Sequence, residues 1–458
     1  MTTAGKPSAG AEGGSGSGES GGAGDAAART SPGGAAAVRP VRVLVTGASG
    51  FVGGALLRRL AGDPAFDALG LGRRPIDRAD YRMLDLAETA DTVEAGGSVG
   101  PGSVEPDSRA PGAAARLDAL GFRPDVIVHA AARSSPWGTR AEFERENVQT
   151  TRAVVDFATR QLTRPRLVFV SSASVLYTAG DQLEVADDAV AGPRFVNGYA
   201  ASKYAAELVV RDYPGEWAVL RPRAVFGPGD TTLLPRLLQA ARRGSLPRFR
   251  PGRSGPAMSD LVAIDTLVEQ LVVAATSPAV VGQTVVVTNG EPVPLQETVF
   301  GLLDRLGVPR PRRAVSRGVA RSAATAIEWA WRIARRRDEP PITRYSVIVY
   351  AYSKTFDARR CRELFGPPAV SVSEALDRVV EWLAPTAPTA LAAPTASTAP
   401  TAPAASTAPT TLAAPTAQAS PTAPTGAATA TATVAAAAGR ADAPPSGDPA
   451  DADPGVIS

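Results

Sequence analysis

A short apolar strand that runs straight into three evenly spaced glycines and then a helix constrains this chain more than any other feature. Residues 41–47 read VRVLVTG, and residues 48–61 follow as ASGFVGGALLRRLA. Gly47, Gly50 and Gly53 recur every third residue, and the helix 51–61 begins among them. Glycines there permit a tight turn and a close backbone approach, and the helix N-terminus offers free N–H groups to an anion. Gly47, Ser49, Gly50, Phe51, Val52 and Gly53 are therefore the expected cradle for a dinucleotide pyrophosphate. A glycine-rich loop with no ligand is the plainer alternative. The strand before it and the amphipathic helix after it supply the context that the binding mechanism requires.

Similar apolar runs rich in β-branched residues recur at 66–72, 80–86, 125–131, 166–172, 217–223 and 284–290, with helix-like segments between them. Near-continuous apolar strands alternating with helices predict a parallel sheet covered on both faces. The expected class is α/β, a Rossmann-type doubly wound sheet with a smaller C-terminal substrate lobe. The expected catalytic domain spans 41–383, with its sheet core over about 41–225 and the lobe largely over 226–383. Residues 1–40 are Gly/Ala/Ser-rich and residues 384–458 are a Pro/Thr/Ala tract. Neither can bury enough apolar surface to offset the entropy of ordering, so both are expected to be disordered tails. The Gly/Pro-rich stretch 91–113 is unpatterned and reads as a surface insertion.

The same text excludes several chemistries. Cys361 and His129 are the only cysteine and histidine, which leaves no internal disulfide, no soft-metal cluster and no Ser-His-Asp hydrolase. Net charge is +3, too little to imply nucleic acid. No apolar run approaches the roughly 18–20 residues of a membrane span, and no signal-peptide pattern opens the chain. A cytoplasmic location is the expectation.

The second strand ends GLGRRP, where a site for NAD usually carries an acid for the ribose hydroxyl and one for NADP carries arginine. Gly72 stands in the acid's place, followed by Arg73 and Arg74. NADP is the expected cofactor, with NAD the alternative and two solvated surface arginines the plain reading. Asp85, with Leu86 beside it, ends the third strand as either an acceptor for the adenine amino group or a strand-end cap.

The chain writes its cations almost entirely as arginine: of 48 Lys+Arg only Lys6, Lys203 and Lys354 are lysines. One of them falls four residues after Tyr199, on the same helical face in GYAASKYAAELVV. A phenol titrates near pH 10, too high for a neutral-pH proton carrier, and a neighbouring ammonium would lower it. Tyr199 then reads as a general acid/base for an alcohol or ketone. An ordinary Tyr–Lys pair on an exposed helix is the alternative. Ser171 and Ser172 end a buried strand, where ligands of open α/β sheets bind, and a hydroxyl there can hold a substrate oxygen.

TGASGFVG, HAAA, NVQTT, SSASV, YAASK and LRPRAVFGPGD follow one another in order. Together they resemble the extended short-chain dehydrogenase/reductase family, of the NAD-dependent epimerase/dehydratase type, over roughly residues 41–383. The resemblance implies a catalytic triad of Ser172, Tyr199 and Lys203, with Lys203 also holding the nicotinamide ribose. It implies that Ala130, Ala131, Ala132 and Asn147 line the cofactor, that Pro222 sits near the nicotinamide, and that His129 is a strand-end residue beside it. Thr150 stands where the family pattern has glycine, and SVLYTAG is one residue longer than usual.

The later segments look most like the 3β-hydroxysteroid dehydrogenase-like branch, which implies a bulky, mostly apolar ketone or secondary alcohol such as a sterol, terpenoid or polyketide-like compound. A nucleotide-sugar epimerase or dehydratase is the second reading, and a non-catalytic NADP-sensing or scaffold protein on the same fold the third. Between Arg310 and Arg337 nine arginines face one acid, Glu328. The helical pattern there groups Ile327, Ala330, Trp331 and Ala334, and reads first as a lid with a solvated outer face. Peripheral membrane contact through 320–337 is the alternative, and a homodimer is left open. The small-molecule substrate is the expected partner.

Overall fold

The computed structural model describes residues 39–88, 112–191, 194–252 and 255–384. The tails lie outside the described residues apart from Arg39, Pro40 and Ala384, and so does the insertion apart from Gly112 and Ala113. Seven strands form one sheet: β1 (Val41–Thr46), β2 (Phe66–Gly72), β3 (Tyr81–Met83), β4 (Val126–His129), β5 (Arg166–Val170), β6 (Trp217–Pro222) and β7 (Thr284–Val287). Their spatial order is β7-β6-β5-β4-β1-β2-β3, and every pairing is parallel. This is the expected doubly wound sheet. β2 fills its expected run and the other six lie within theirs but are shorter, because residues at the ends of those runs leave the ladder for the loops.

Side-chain alternation along the strands builds two cores. Val43 and Val45 face α1 (Phe51–Ala61) and its Leu56, Leu57 and Leu60, together with Leu267 and Leu271 of the helix Ile264–Thr276. Leu44 faces the other way, toward Phe157 of α2 (Thr150–Arg160) and Ala206 and Val210 of α3 (Gly198–Arg211). A third core, with Phe226, Leu238, Phe300, Leu303 and Val379, lies within the later part of the chain. Yet residues 264–276 and 284–287 return to the main sheet, so the sheet core and the lobe interleave in sequence.

The strand order reverses between β1 and β4, and in such sheets the crevice beyond the carboxyl ends at that point receives ligands. Gly47 and the loop Ala130–Ala132 leave the sheet there side by side.

The basic segment forms α4 (Arg317–Ile333), capped by the Ser316 hydroxyl on the Val319 N–H. Its buried face is Ala320, Ala324 and Glu328, with Ile327 and Trp331 partly covered, whereas Ala330 and Ala334 are exposed. The face expected from sequence is thus rotated. Glu328 is drawn inward because its carboxylate accepts from the Arg344 backbone N–H and side chain at 2.7 and 2.9 Å.

Candidate active site

The glycine turn is fixed by collision rather than by composition. Gly47 has φ +74°, and a Cβ there would lie 2.7 Å from the Ala130 carbonyl carbon and the Ala131 nitrogen. A Cβ on Gly53 would lie 2.5 Å from the Gly47 oxygen. Gly50 begins α1 without a side-chain cap, so the first-turn N–H groups of Phe51, Val52 and Gly53 have no side-chain acceptor there. This cradle fits a pyrophosphate: the backbone comes close and no side chain fills it.

Beside it, a Cβ at Gly72 would meet the Ser49 Oγ at 2.5 Å. That is why no acid stands at position 72. Arg73 is largely exposed and pairs with the buried Glu146 at 3.1 Å, an acid that also takes Arg133 at 3.1 Å and Arg145 at 3.4 Å. Arg74 donates to the Ser49 carbonyl. Asp85, two residues past the end of β3, accepts from the Ala87 N–H at 2.9 Å through one carboxylate oxygen, and Leu86 is buried.

His129 is fully buried at the end of β4 and stacked on Phe169. Its Nδ1 lies 2.7 Å from the Thr46 hydroxyl and its Nε2 3.0 Å from the Thr151 hydroxyl. Thr151 donates to the Asn147 carbonyl, so it accepts from His129 Nε2–H; Thr46 accepts from the Ala131 N–H, so its own proton goes to Nδ1. That assigns a neutral Nε2–H tautomer with no proton to spare. Burial, and then the charge of Lys203, push this imidazole down to about 3. The folded state therefore refuses a proton that the unfolded chain accepts below its ordinary value of about 6.5. Its stabilisation is complete above that value and is lost as pH falls toward 3. Denaturation of wild type and His129→Gln across that window should show the difference in stability shrinking as pH falls; a pH-independent difference would refute the assignment.

Asn147 sits in a π-helical turn, Glu144–Gln149, a distortion that often marks functional segments. Its Oδ1 accepts from the Arg133 N–H at 2.7 Å and its Nδ2 donates to Ser202 at 2.8 Å. It thereby ties the loop after β4 to α3. Thr150, in place of the family's glycine, donates to the Glu146 carbonyl at 2.8 Å within that turn.

The two serines after β5 separate cleanly. Ser171 donates to Glu207 at 2.5 Å and is spent in the core. Ser172 caps the 3₁₀ turn Ala173–Leu176, accepting from the Ser174 N–H at 3.3 Å and from the Ser174 hydroxyl at 3.0 Å. Its hydroxyl also neighbours the Tyr199 phenol and pulls the titration of that group down. Tyr199, in the first turn of α3, is set by Asn197, whose side chain accepts from the Ala200 N–H.

One expectation is corrected here. The Tyr199 phenol is held above its ordinary value, by burial first and by the neighbouring Tyr345 second, with only Ser172 pulling it down. Lys203 does not lower it, because its Nζ points to the Val170 carbonyl at 2.6 Å and lies 4.1 Å over the Phe169 ring. Burial depresses that ammonium to about 7, against the opposing pull of Glu207.

Tyr345 was not legible from sequence. The helix Arg344–Ala351 starts at a Thr343–Ser346 capping box, which places Tyr345 in its first turn. Its phenol neighbours Ser174, which gathers the hydroxyls of Tyr199, Ser172, Ser174 and Tyr345 in one place. Glu207, fully buried, was missed too; it binds Arg221 through both guanidinium nitrogens at 2.9 and 2.7 Å. Pro222 ends β6 beside Val287. A separate cleft of about 670 Å³, bordered by Asp187, Arg211 and Arg360, contains none of the candidate residues.

Residues 43–288 match the family described as NAD dependent epimerase/dehydratase. A 2-alkyl-3-oxoalkanoate reductase of Stenotrophomonas maltophilia is 32% identical over 349 residues, covering 74% of this chain and 98% of the relative. The sterol-4-alpha-carboxylate 3-dehydrogenase, decarboxylating, of Mus musculus is 26% identical over 268 residues, covering 56% of this chain and 73% of the relative. Among solved structures, UDP-glucuronic acid 4-epimerase from Bacillus cereus in complex with NAD superposes with a TM-score of 0.53 at 16% identity, covering 75% of this chain and 99% of that one. The last comparison carries the fold, and the first two carry the 3β-hydroxysteroid dehydrogenase-like branch. With seven parallel strands, a cradle only glycine can line and these relatives, the chain is an enzyme, an oxidoreductase, and belongs to the NAD-dependent epimerase/dehydratase family of extended short-chain dehydrogenases/reductases.

Proposed function

We propose that this enzyme interconverts a secondary alcohol and a ketone on a bulky, mostly apolar substrate, with Ser172, Tyr199 and Lys203 as its catalytic residues. The carrying observation is the juxtaposition of the Tyr199 phenol and the Ser172 hydroxyl at the carboxyl end of β5. It gives one position where a substrate oxygen can meet two hydroxyl groups. Ser172 orients that oxygen, and Tyr199 gives it a proton during reduction or takes one during oxidation. Ser174, bonded to Ser172, and Tyr345 add two further hydroxyls beside that position.

A bound nicotinamide dinucleotide supplies or accepts the hydride. The residues that would hold it are the cradle Gly47–Gly53, the loop Ala130–Ala132, Asn147, Asp85 with Leu86, and Pro222. Lys203 has ammonium protons beyond the one on Val170 for a ribose hydroxyl. Substrate class comes from the relatives named above, which act on an oxoalkanoate and on a sterol. The test is a panel of alicyclic and long-chain ketones, sterols and nucleotide sugars assayed by absorbance with NADH and NADPH. Turnover of nucleotide sugars alone would replace this reading with the epimerase.

A preference for NADP rests on Arg73 and on a position 72 that admits no acid. Arg73→Ala should weaken NADPH by about 1.5–3 kcal/mol, the range for a hydrogen bond to a charged group, and NADH much less. Fluorescence titration of each cofactor decides it; equal losses would assign Arg73 to its ion pair with Glu146 alone.

A further inference from the structure

We propose that α4 is a docking surface for an anionic lipid bilayer, holding the enzyme at the membrane surface without crossing it. The observation is a stripe of apolar side chains left in solvent. Val319, Ala323, Ala326, Ala330 and Ile333 recur at the three- and four-residue spacing of one helical face, and all are exposed, with Trp329 beside them. Val319 is 64%, Trp329 68% and Ile333 61% exposed. The helix packs on its opposite face through Ala320 and Ala324. An isolated exposed leucine or valine needs no explanation, but a contiguous stripe with a tryptophan marks an interaction surface.

The charges around the stripe select the occupant. Arg321, Arg335 and Arg337, with Arg312 and Arg313 just before the helix, make no side-chain ion pair among the described residues. An amphipathic helix with an exposed apolar face and unpaired arginines on its far side and beyond its two ends is the form that lies in an anionic interface, where each cation near the surface adds attraction. A second copy of this chain fits poorly. A two-fold contact through this face would set the same arginines against one another. No described helix is long and apolar enough to cross a membrane, so the contact is peripheral.

The surface also adjoins the site. Arg332 of α4 lies 5.5 Å over the ring of Trp137, in the segment that follows the β4 loop. The next helix carries Tyr345 to Ser174. A lipid-dissolved apolar substrate would thus meet the enzyme at the element bordering the site. Only this last link rests on the proposed function; lipid binding stands without it.

The test is co-sedimentation of the full chain with vesicles of phosphatidylcholine alone and of phosphatidylcholine with phosphatidylglycerol. Binding should need the anionic lipid and weaken with salt. Trp329→Ser with Ile333→Ser should weaken it by at least about tenfold through lost apolar burial, and Arg321→Gln with Arg335→Gln should weaken it on anionic vesicles. Neither pair touches the proposed catalytic groups, so turnover of a water-soluble ketone should be unchanged in both. Absence of binding to either vesicle overturns the proposal. So does binding that the Trp329/Ile333 pair leaves intact, or a wild-type dimer in sedimentation that this pair dissociates.

Discussion

Tyr199→Phe is expected to lower turnover by about 10²–10⁴-fold, the usual contribution of a general acid/base, while the protein remains folded. The phenol lies beside Ser172, in the site rather than in a core, and the ring itself is retained. Thermal unfolding should therefore be nearly that of wild type, and a normal rate would end the catalytic assignment. Lys203→Arg should fail to restore activity although it keeps the charge. The ammonium passes over the Phe169 ring to the Val170 carbonyl in a fully buried space, and the planar guanidinium is wider. The pH profile adds a signature. Because Lys203 is depressed to about 7, kcat/KM of the free enzyme should decline as pH rises through that value and the ammonium is lost. Whatever rate Lys203→Arg retains should lack that limb, since guanidinium does not titrate there.

Glu207→Ala is expected to destabilise the fold by about 3–5 kcal/mol, the cost of leaving a buried charge without its partner. The carboxylate is fully buried, takes both nitrogens of Arg221, accepts from Ser171 and pairs with Arg211 at 3.0 Å. Removing it leaves the buried Arg221 guanidinium with the Asp187 carbonyl, at 3.0 Å, and no carboxylate partner. Urea denaturation measures the loss. Glu207→Leu combined with Arg221→Met should recover much of it, because an apolar pair of similar volume carries no uncompensated charge. Failure of that rescue would mean that shape, rather than charge, sets the cost.

Lysines 203 and 354 show how far residue choice alone could carry the argument. Lys203 stood out because the chain otherwise writes arginine. Lys354 is also buried, donates to the Gly180 carbonyl, lies 5.7 Å over the Tyr177 ring, and is depressed to about 7 by burial first. Both sites hold a compact ammonium between an aromatic face and a backbone carbonyl. A rare lysine therefore reports a narrow buried pocket. Its place one helical turn after Tyr199 in α3 is what makes Lys203 the candidate for chemistry.

The seven strands, their parallel class, the glycine cradle and the helix that carries Tyr199 and Lys203 are legible in the chain's residue pattern alone. These are local matters: strand runs and helical spacing repeat within a few residues, and a turn that admits only glycine leaves its mark at each position. Packing between distant segments settles which serine is spent in the core: Ser171 donates to the buried Glu207, whereas Ser172 caps the 3₁₀ turn. It decided that Lys203 turns away from the phenol, that Gly72 is glycine because Ser49 fills the space, and which face of α4 meets solvent. It brought Tyr345 beside Tyr199 across 146 residues of chain. Contacts of that kind arise from packing between distant segments, and no periodicity in the chain records them, because each partner's environment is supplied by the other.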